Sequence, residues 1–181
     1  MHPGSGFAPD GTVWGFFTRL PGQLPPAVTD VIIAVTTVTG PTAMAVLALL
    51  IAGAEFARSR RWAVWLLPVA VLAANLASHL LKAFIGRERP PEPYRLIAET
   101  NPAFPSGHAT GVAAVATVLT LWWWPRHRRV VIGVWAGAGI VCLTRLYLGV
   151  HWLTDILGGI ALGTGVALAV SGWMFRPRID T

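Results

Sequence analysis

Apolar and polar positions along this chain segregate into long blocks rather than short amphipathic periods. Residues 62–84, 107–124, 130–149 and 152–175 are apolar almost throughout, and each block is close to the ~20 residues a helix needs to cross a bilayer. Between residues 31 and 54 no charge appears, but Gly40-Pro41 interrupts the stretch and threonines crowd its first half. That pattern predicts a short helix before Gly40 and a span from about Thr42 to Phe56. Upstream, Val13-Trp14-Gly15-Phe16-Phe17 is too short to cross and reads as an interfacial helix or anchor. The fold expected is an all-α integral membrane protein, with about five transmembrane helices in a bundle and a short N-terminal interfacial helix. The expected divisions are residues 1–27, interfacial or loosely ordered, residues 28–175, the membrane domain, and residues 176–181, a cytoplasmic tail.

Composition narrows the function classes. With 54% hydrophobic and 12% charged residues and a mean hydropathy of +0.59, the chain has too little polar surface for a soluble globule. The single cysteine, Cys142, lies inside an apolar run, so neither a disulfide framework nor a cysteine-based metal site can be built from this chain. A net charge of +6 comes from 14 basic residues, but no basic tract is interleaved with aromatics, so a nucleic-acid partner is not expected. The N-terminus has no basic start, apolar core and small-residue cleavage site, so it is not expected to be a signal peptide.

The loops predict an orientation. Arg58, Arg60 and Arg61, then Arg126, Arg128 and Arg129, then Arg176 and Arg178 all fall on one side of a chain that crosses five times. The positive-inside rule makes that side cytoplasmic. Trp122, Trp123 and Trp124 then mark the inner interface, and Trp152 and Trp173 bracket the last span about 32 Å apart at helical rise. Gly133 and Gly137, and Gly159 and Gly163, are small-residue pairs of the kind that let membrane helices approach closely.

Polar residues with chemical potential gather at the other side. Pro105-Ser106-Gly107-His108 precedes an apolar helix, so Ser106 is placed to cap it, Gly107 to allow close backbone approach, and the free first-turn amides to cradle an anion. His108, in that first turn, is placed to give a proton to a departing oxygen. His151 and Asp155 are four apart, hence on one helix face, where the carboxylate can hold one ring nitrogen and leave the other free to attack. Arg145, beyond a turn at Gly149, suits phosphate oxygens with its planar fork. Lys82, at the outer end of its span, and Arg89-Pro90, in the following loop, add positive charge. His108, His151 and Asp155 are residue types that also bind metals, but three cations at one membrane face repel a metal and attract an oxyanion. No metal and no cofactor is therefore expected.

Together these residues resemble the type 2 phosphatidic acid phosphatase family, part of the vanadium haloperoxidase superfamily. Its three motifs read here as Lys82-x6-Arg89-Pro90, Pro105-Ser106-Gly107-His108, and Thr144-Arg145-x5-His151-x3-Asp155. Thr144 replaces the usual serine and keeps its hydroxyl, and five spans stand where family members commonly have six. The resemblance implies a phosphatase-haloperoxidase-like core with His151 as the nucleophile forming a phospho-histidine, Asp155 as its orienting partner and His108 as the acid. It assigns Lys82, Arg89, Arg145 and the Ser106-Gly107 turn to the phosphoryl oxygens. The activity implied is metal-independent hydrolysis of a lipid phosphate or diphosphate, at the extracytoplasmic face of the plasma membrane. Undecaprenyl diphosphate, phosphatidylglycerol phosphate and phosphatidate are substrates within that family, and nothing in the sequence chooses among them or sets an oligomeric state. Two rivals differ in a readable way. Vanadate-dependent peroxidase chemistry on the same site is disfavoured by five apolar spans, and a lipid- or ion-translocating protein would carry its charges near mid-span rather than at one mouth.

Overall fold

A computed structural model describes residues 8–124 and 126–175. Residues 1–7 and the expected tail at 176–181 lie outside them. Seven α-helices account for the described chain: α1 (Ala8–Phe17), α2 (Pro26–Val38), α3 (Pro41–Ser59), α4 (Leu66–Ile85), α5 (Gly107–Trp123), α6 (Arg128–Tyr147) and α7 (Leu153–Met174). The expected break falls where the sequence put it. Pro41 lacks an N–H and fixes its own φ, so it cannot continue α2 but opens α3 at its first position. A 3-10 turn, Trp62–Trp65, leads into α4, and Gly86, in the left-handed region at φ 62°, ends it.

Four helices are long and apolar enough to cross a bilayer: α3, α4 with its leading turn, α6 and α7. The fifth expected span, α5, is 17 residues long and forms the axis of the bundle, buried without a break from Ala109 to Ala114. One core cluster joins α4 (Leu66, Leu67, Ala70, Val71) to Ala48 of α3, Ala114 and Val118 of α5, and Ala167 of α7. A second joins Ala109 and Val112 of α5 to Val141, Cys142 and Leu146 of α6 and Ile156 of α7. The outward faces are apolar too: Leu50, Leu76, Phe84, Ile132, Ile140 and Leu157 are all exposed. Such a surface suits acyl chains, not water.

Two expectations about packing are revised. Gly159 and Gly163 do serve close approach, because a Cβ on Gly159 would lie 2.6 Å from the Ser106 carbonyl and one on Gly163 would collide with that of Thr110. Gly133 and Gly137 face open space instead, so α6 and α7 pack through α5 rather than through both glycine pairs. Trp152 is not an interfacial belt residue. It is 1% exposed, donates its indole N–H to the Glu88 carbonyl at 3.0 Å, and packs at a tilt against Trp14 of α1, ring centres 6.0 Å apart. The N-terminal helix is thereby docked on the bundle, with Trp14 and Asp10 both buried.

Candidate active site

Every polar motif reaches the same end of the bundle. Lys82 comes from the last turn of α4, Arg87 and Arg89 from the segment after Gly86, Ser106 to His108 from the start of α5, Arg145 from the last turn of α6, and Asp155 from the first turn of α7. Between α6 and α7 the chain reverses at Gly149, whose φ of 68° suits glycine and where a Cβ would strike the Tyr94 carbonyl. That tight reversal is what sets His151 against Arg89 and Asp155.

The centre is a histidine-carboxylate pair. Asp155 Oδ2 accepts the backbone N–H of Trp152 at 2.8 Å, the return half of a capping box, and lies 3.3 Å from His151 Nδ1. With Nδ1 donating to that carboxylate, His151 Nε2 keeps its lone pair, and Arg89 Nη1 lies 3.4 Å from it. His151 is 1% exposed. Burial, then the charges of Arg89, Arg145 and Lys82, push its proton affinity well below the ordinary 6.5, so the imidazole is neutral.

Around this pair the cations are tied down by carbonyls and one carboxylate. Arg89 Nε and Nη2 grip Asn101 at its carbonyl (2.7 Å) and side-chain oxygen (2.6 Å), and its Nη1 reaches the Val150 carbonyl at 2.7 Å. Lys82 Nζ donates to the Pro102 carbonyl at 2.5 Å. Glu99 bridges two guanidiniums, 2.5 Å from Arg145 Nη2 and 3.4 Å from Arg89 Nη2. Burial works against its charge, but Arg89 and Arg145 outweigh that and hold Glu99 below the usual carboxylate range. Arg145 Nη1 also donates to Thr36 Oγ1 at 3.0 Å, while His108 Nε2 lies 2.9 Å from the Thr36 carbonyl. Thr36, on α2, thus links His108 to the phosphate-binding candidates.

Ser106 departs from its expected part. Its hydroxyl caps nothing; it is buried without a hydrogen-bond partner, while its backbone N–H donates to the Asp155 carbonyl at 3.0 Å. The guanidinium Nε of Arg145 is likewise buried and unpartnered. Both are donors without an acceptor beside the neutral histidine, a feature that favours an anionic ligand there. A cavity of about 460 Å³ opens onto Arg89 and Glu99, and another of about 400 Å³ opens between α3 and α4 onto Lys82 and Gly107.

The structure brings Lys82, Arg89, Ser106, Gly107, His108, Arg145, His151 and Asp155 into one cluster. Sequence reasoning missed Glu99, Thr36, Arg87 and Asp10. Arg87, in the segment after α4, places its Nη1 2.6 Å from Asp155 Oδ1 and its Nη2 2.8 Å from Asp10 Oδ2. Burial opposes charge on Asp10, but hydrogen bonds from Thr154 and Arg87 prevail and lower its pKa. A readable signal existed for one of them: Asp10 is the sole acidic residue before Asp30. Among the described residues, no group of three or more His, Cys, Asp or Glu side chains is arranged to hold a metal ion.

Residues 62–179 match the family model described as the PAP2 superfamily. Over 156 residues the chain is 30% identical to phosphatidylglycerophosphatase B of Bacillus subtilis (strain 168), covering 82% of this chain and 76% of that protein. It is 32% identical over 127 residues to lipid A 1-phosphatase of Rhizobium etli, covering 61% of this chain and about half, 52%, of that protein. The crystal structure of a transmembrane PAP2-type phosphatidylglycerolphosphate phosphatase from Bacillus subtilis superposes with a TM-score of 0.80 at 25% identity, covering 98% of this chain and 92% of that one.

Proposed function

The chain belongs to the PAP2 superfamily, and from that premise we propose that it cleaves phosphate from a membrane lipid through a phospho-histidine on His151. It is a multi-pass membrane protein and a lipid phosphatase. The observation that carries the mechanism is the histidine-carboxylate pair, with Nδ1 engaged by Asp155 and the Nε2 lone pair turned into a cluster of cations.

In the first step Nε2 attacks phosphorus, forming an N–P bond while the bond from phosphorus to the lipid oxygen breaks. His108 supplies the proton that the leaving oxygen needs. In the second step water attacks phosphorus as the N–P bond breaks, His108 takes the water's proton, and inorganic phosphate leaves with His151 Nε2 free again. Arg89, Arg145, Lys82, the buried Ser106 hydroxyl and the first-turn amides of α5 stabilise the equatorial oxygens. The phosphate displaces Glu99 from the two arginines as it binds. The substrate is a lipid carrying a phosphomonoester or diphosphate, whose tail lies in the cavity between α3 and α4, and the site faces the outside of the plasma membrane. The test is trapping: brief reaction with ³²P-labelled dioctanoyl phosphatidate, then quenching in base, should leave an acid-labile, base-stable label on the protein. The label is expected to be absent from the His151→Ala variant; equal labelling of that variant would remove His151 from the nucleophile role.

A further inference from the structure

Behind the His151–Asp155 pair stands a second carboxylate, contributed by the other end of the chain. Arg87 forks between the two. Its Nη1 donates to Asp155 Oδ1 and Thr154 Oγ1, both at 2.6 Å, and its Nη2 donates to Asp10 Oδ2 at 2.8 Å. Asp10 in turn accepts the Thr154 backbone N–H on Oδ1 at 2.8 Å and the Thr154 hydroxyl on Oδ2 at 2.6 Å. Asp10 and Asp155 are both fully buried. Arg87 also lies over Trp152, 5.9 Å from the ring centre, within cation–π reach.

The direction of the fork matters for the chemistry. An unrestrained guanidinium pairs with a carboxylate through two parallel N–H donors, occupying both oxygens. On Asp155 that geometry would compete for Oδ2, the oxygen that His151 Nδ1 and the Trp152 N–H use. With Nη2 drawn away to Asp10, Arg87 touches Oδ1 alone. A simple helix-capping role does not require this arrangement, since a neutral asparagine caps an N-terminus as well as aspartate does. Burying a charged aspartate is costly unless its charge is used.

We propose that Asp10 and Arg87 are positioning residues for the nucleophile: Asp10 holds Arg87 so that it grips one oxygen of Asp155 and leaves the other to orient His151. The N-terminal helix, which lies outside the region matched by the family model, is then part of the active-site apparatus. This rests on His151 being the nucleophile.

The experiment compares kcat and KM for dioctanoyl phosphatidate in detergent across His151→Ala, Asp10→Asn, Arg87→Lys and the Asp10→Asn/Arg87→Lys double variant, with thermal melts of each. Asp10→Asn keeps the cap and removes the charge; Arg87→Lys keeps the charge and removes the fork. Each single change is expected to lower kcat about 10-fold to 100-fold with KM within about threefold, and the double variant to be no worse than the weaker single. Losses that multiply in the double variant, losses confined to KM, or a wild-type kcat in Asp10→Asn would each overturn the proposal. If Asp10→Asn does not fold, Arg87→Lys decides: wild-type kcat in a folded protein overturns the proposal, and a selective fall in kcat supports it. An active His151→Ala would instead overturn the nucleophile assignment, separately from these outcomes.

Discussion

Burial and the charges of Arg89, Arg145 and Lys82 act on His151 in the same direction, lowering its proton affinity below the ordinary 6.5. In the proposed mechanism the neutral ring is the reactive form, so kcat/KM should hold its value as pH falls through 6.5, with the acid limb below it. The stability sign follows the same linkage. Because the folded value lies below the unfolded one, the unfolded chain binds the extra proton first, and this group's contribution to stability is intact above 6.5 and lost as pH falls through the depressed folded value. A pH–rate profile beside melting curves in detergent checks both; an acid limb above 6.5 would remove His151 as the neutral nucleophile. His151→Ala should abolish turnover, and His108→Ala should slow it by roughly 100-fold to 10,000-fold through loss of the leaving-group proton. A substrate with a good leaving group, such as p-nitrophenyl phosphate, should recover much of the His108→Ala loss and none of the His151→Ala loss. The motif residues were legible because their chemistry sits at fixed short spacings. Glu99 and Thr36 were not, since each meets the site only through tertiary folding, and a lone acid in a loop or a threonine in an apolar helix carries no local signal; Asp10 stands out as the sole acid before Asp30, but its partners Arg87 and Thr154 are set by the fold.

Among the elements, the lengths of apolar blocks and the helix breakers served well and helix faces did not. Gly40-Pro41 marked a boundary because proline's missing N–H acts locally. Which glycine pair would face a neighbour depended on the rotation of each helix in the bundle, and both pairs have the same spacing, so only the structure separated Gly159 and Gly163 from Gly133 and Gly137. The two pairs should therefore answer differently to the same change. Gly163→Ala drives a methyl group into the Thr110 carbonyl and should destabilise the bundle by about 1–3 kcal/mol, the usual cost of overpacking. Gly137→Ala meets open space and a better helix former, so its melting temperature should match or exceed that of the parent. Equal losses in the two variants, measured by thermal unfolding in detergent, would mean that α5 and α7 are not in the close contact described. Trp152 shows the same limit: an aromatic at a span boundary suggests an interface, but here Trp14 from α1 covers it.

For the molecule as a whole, the distribution of charge bears on both metal use and orientation. At the site Arg87 engages Asp10 and Asp155, and Arg145 and Arg89 engage Glu99, so every carboxylate there already has a cationic partner. Turnover is therefore expected to persist in excess chelator and to be inhibited by vanadate, which mimics the pentacoordinate phosphoryl geometry; strict dependence on added magnesium or zinc would count against the mechanism. At the opposite end of the bundle lie the loop arginines Arg58, Arg60, Arg61, Arg126, Arg128 and Arg129, and the proposed orientation puts that end in the cytoplasm, as the positive-inside rule expects. Ala98, on the site side, and His127, on the other, are both exposed. In a Cys142→Ser background, a cysteine at Ala98 should react with a membrane-impermeant thiol reagent applied to intact cells, and one at His127 should react only after the cells are opened. The reverse pattern would turn the active site towards the cytoplasm, and the substrate would then have to be a lipid phosphate presented on the inner leaflet.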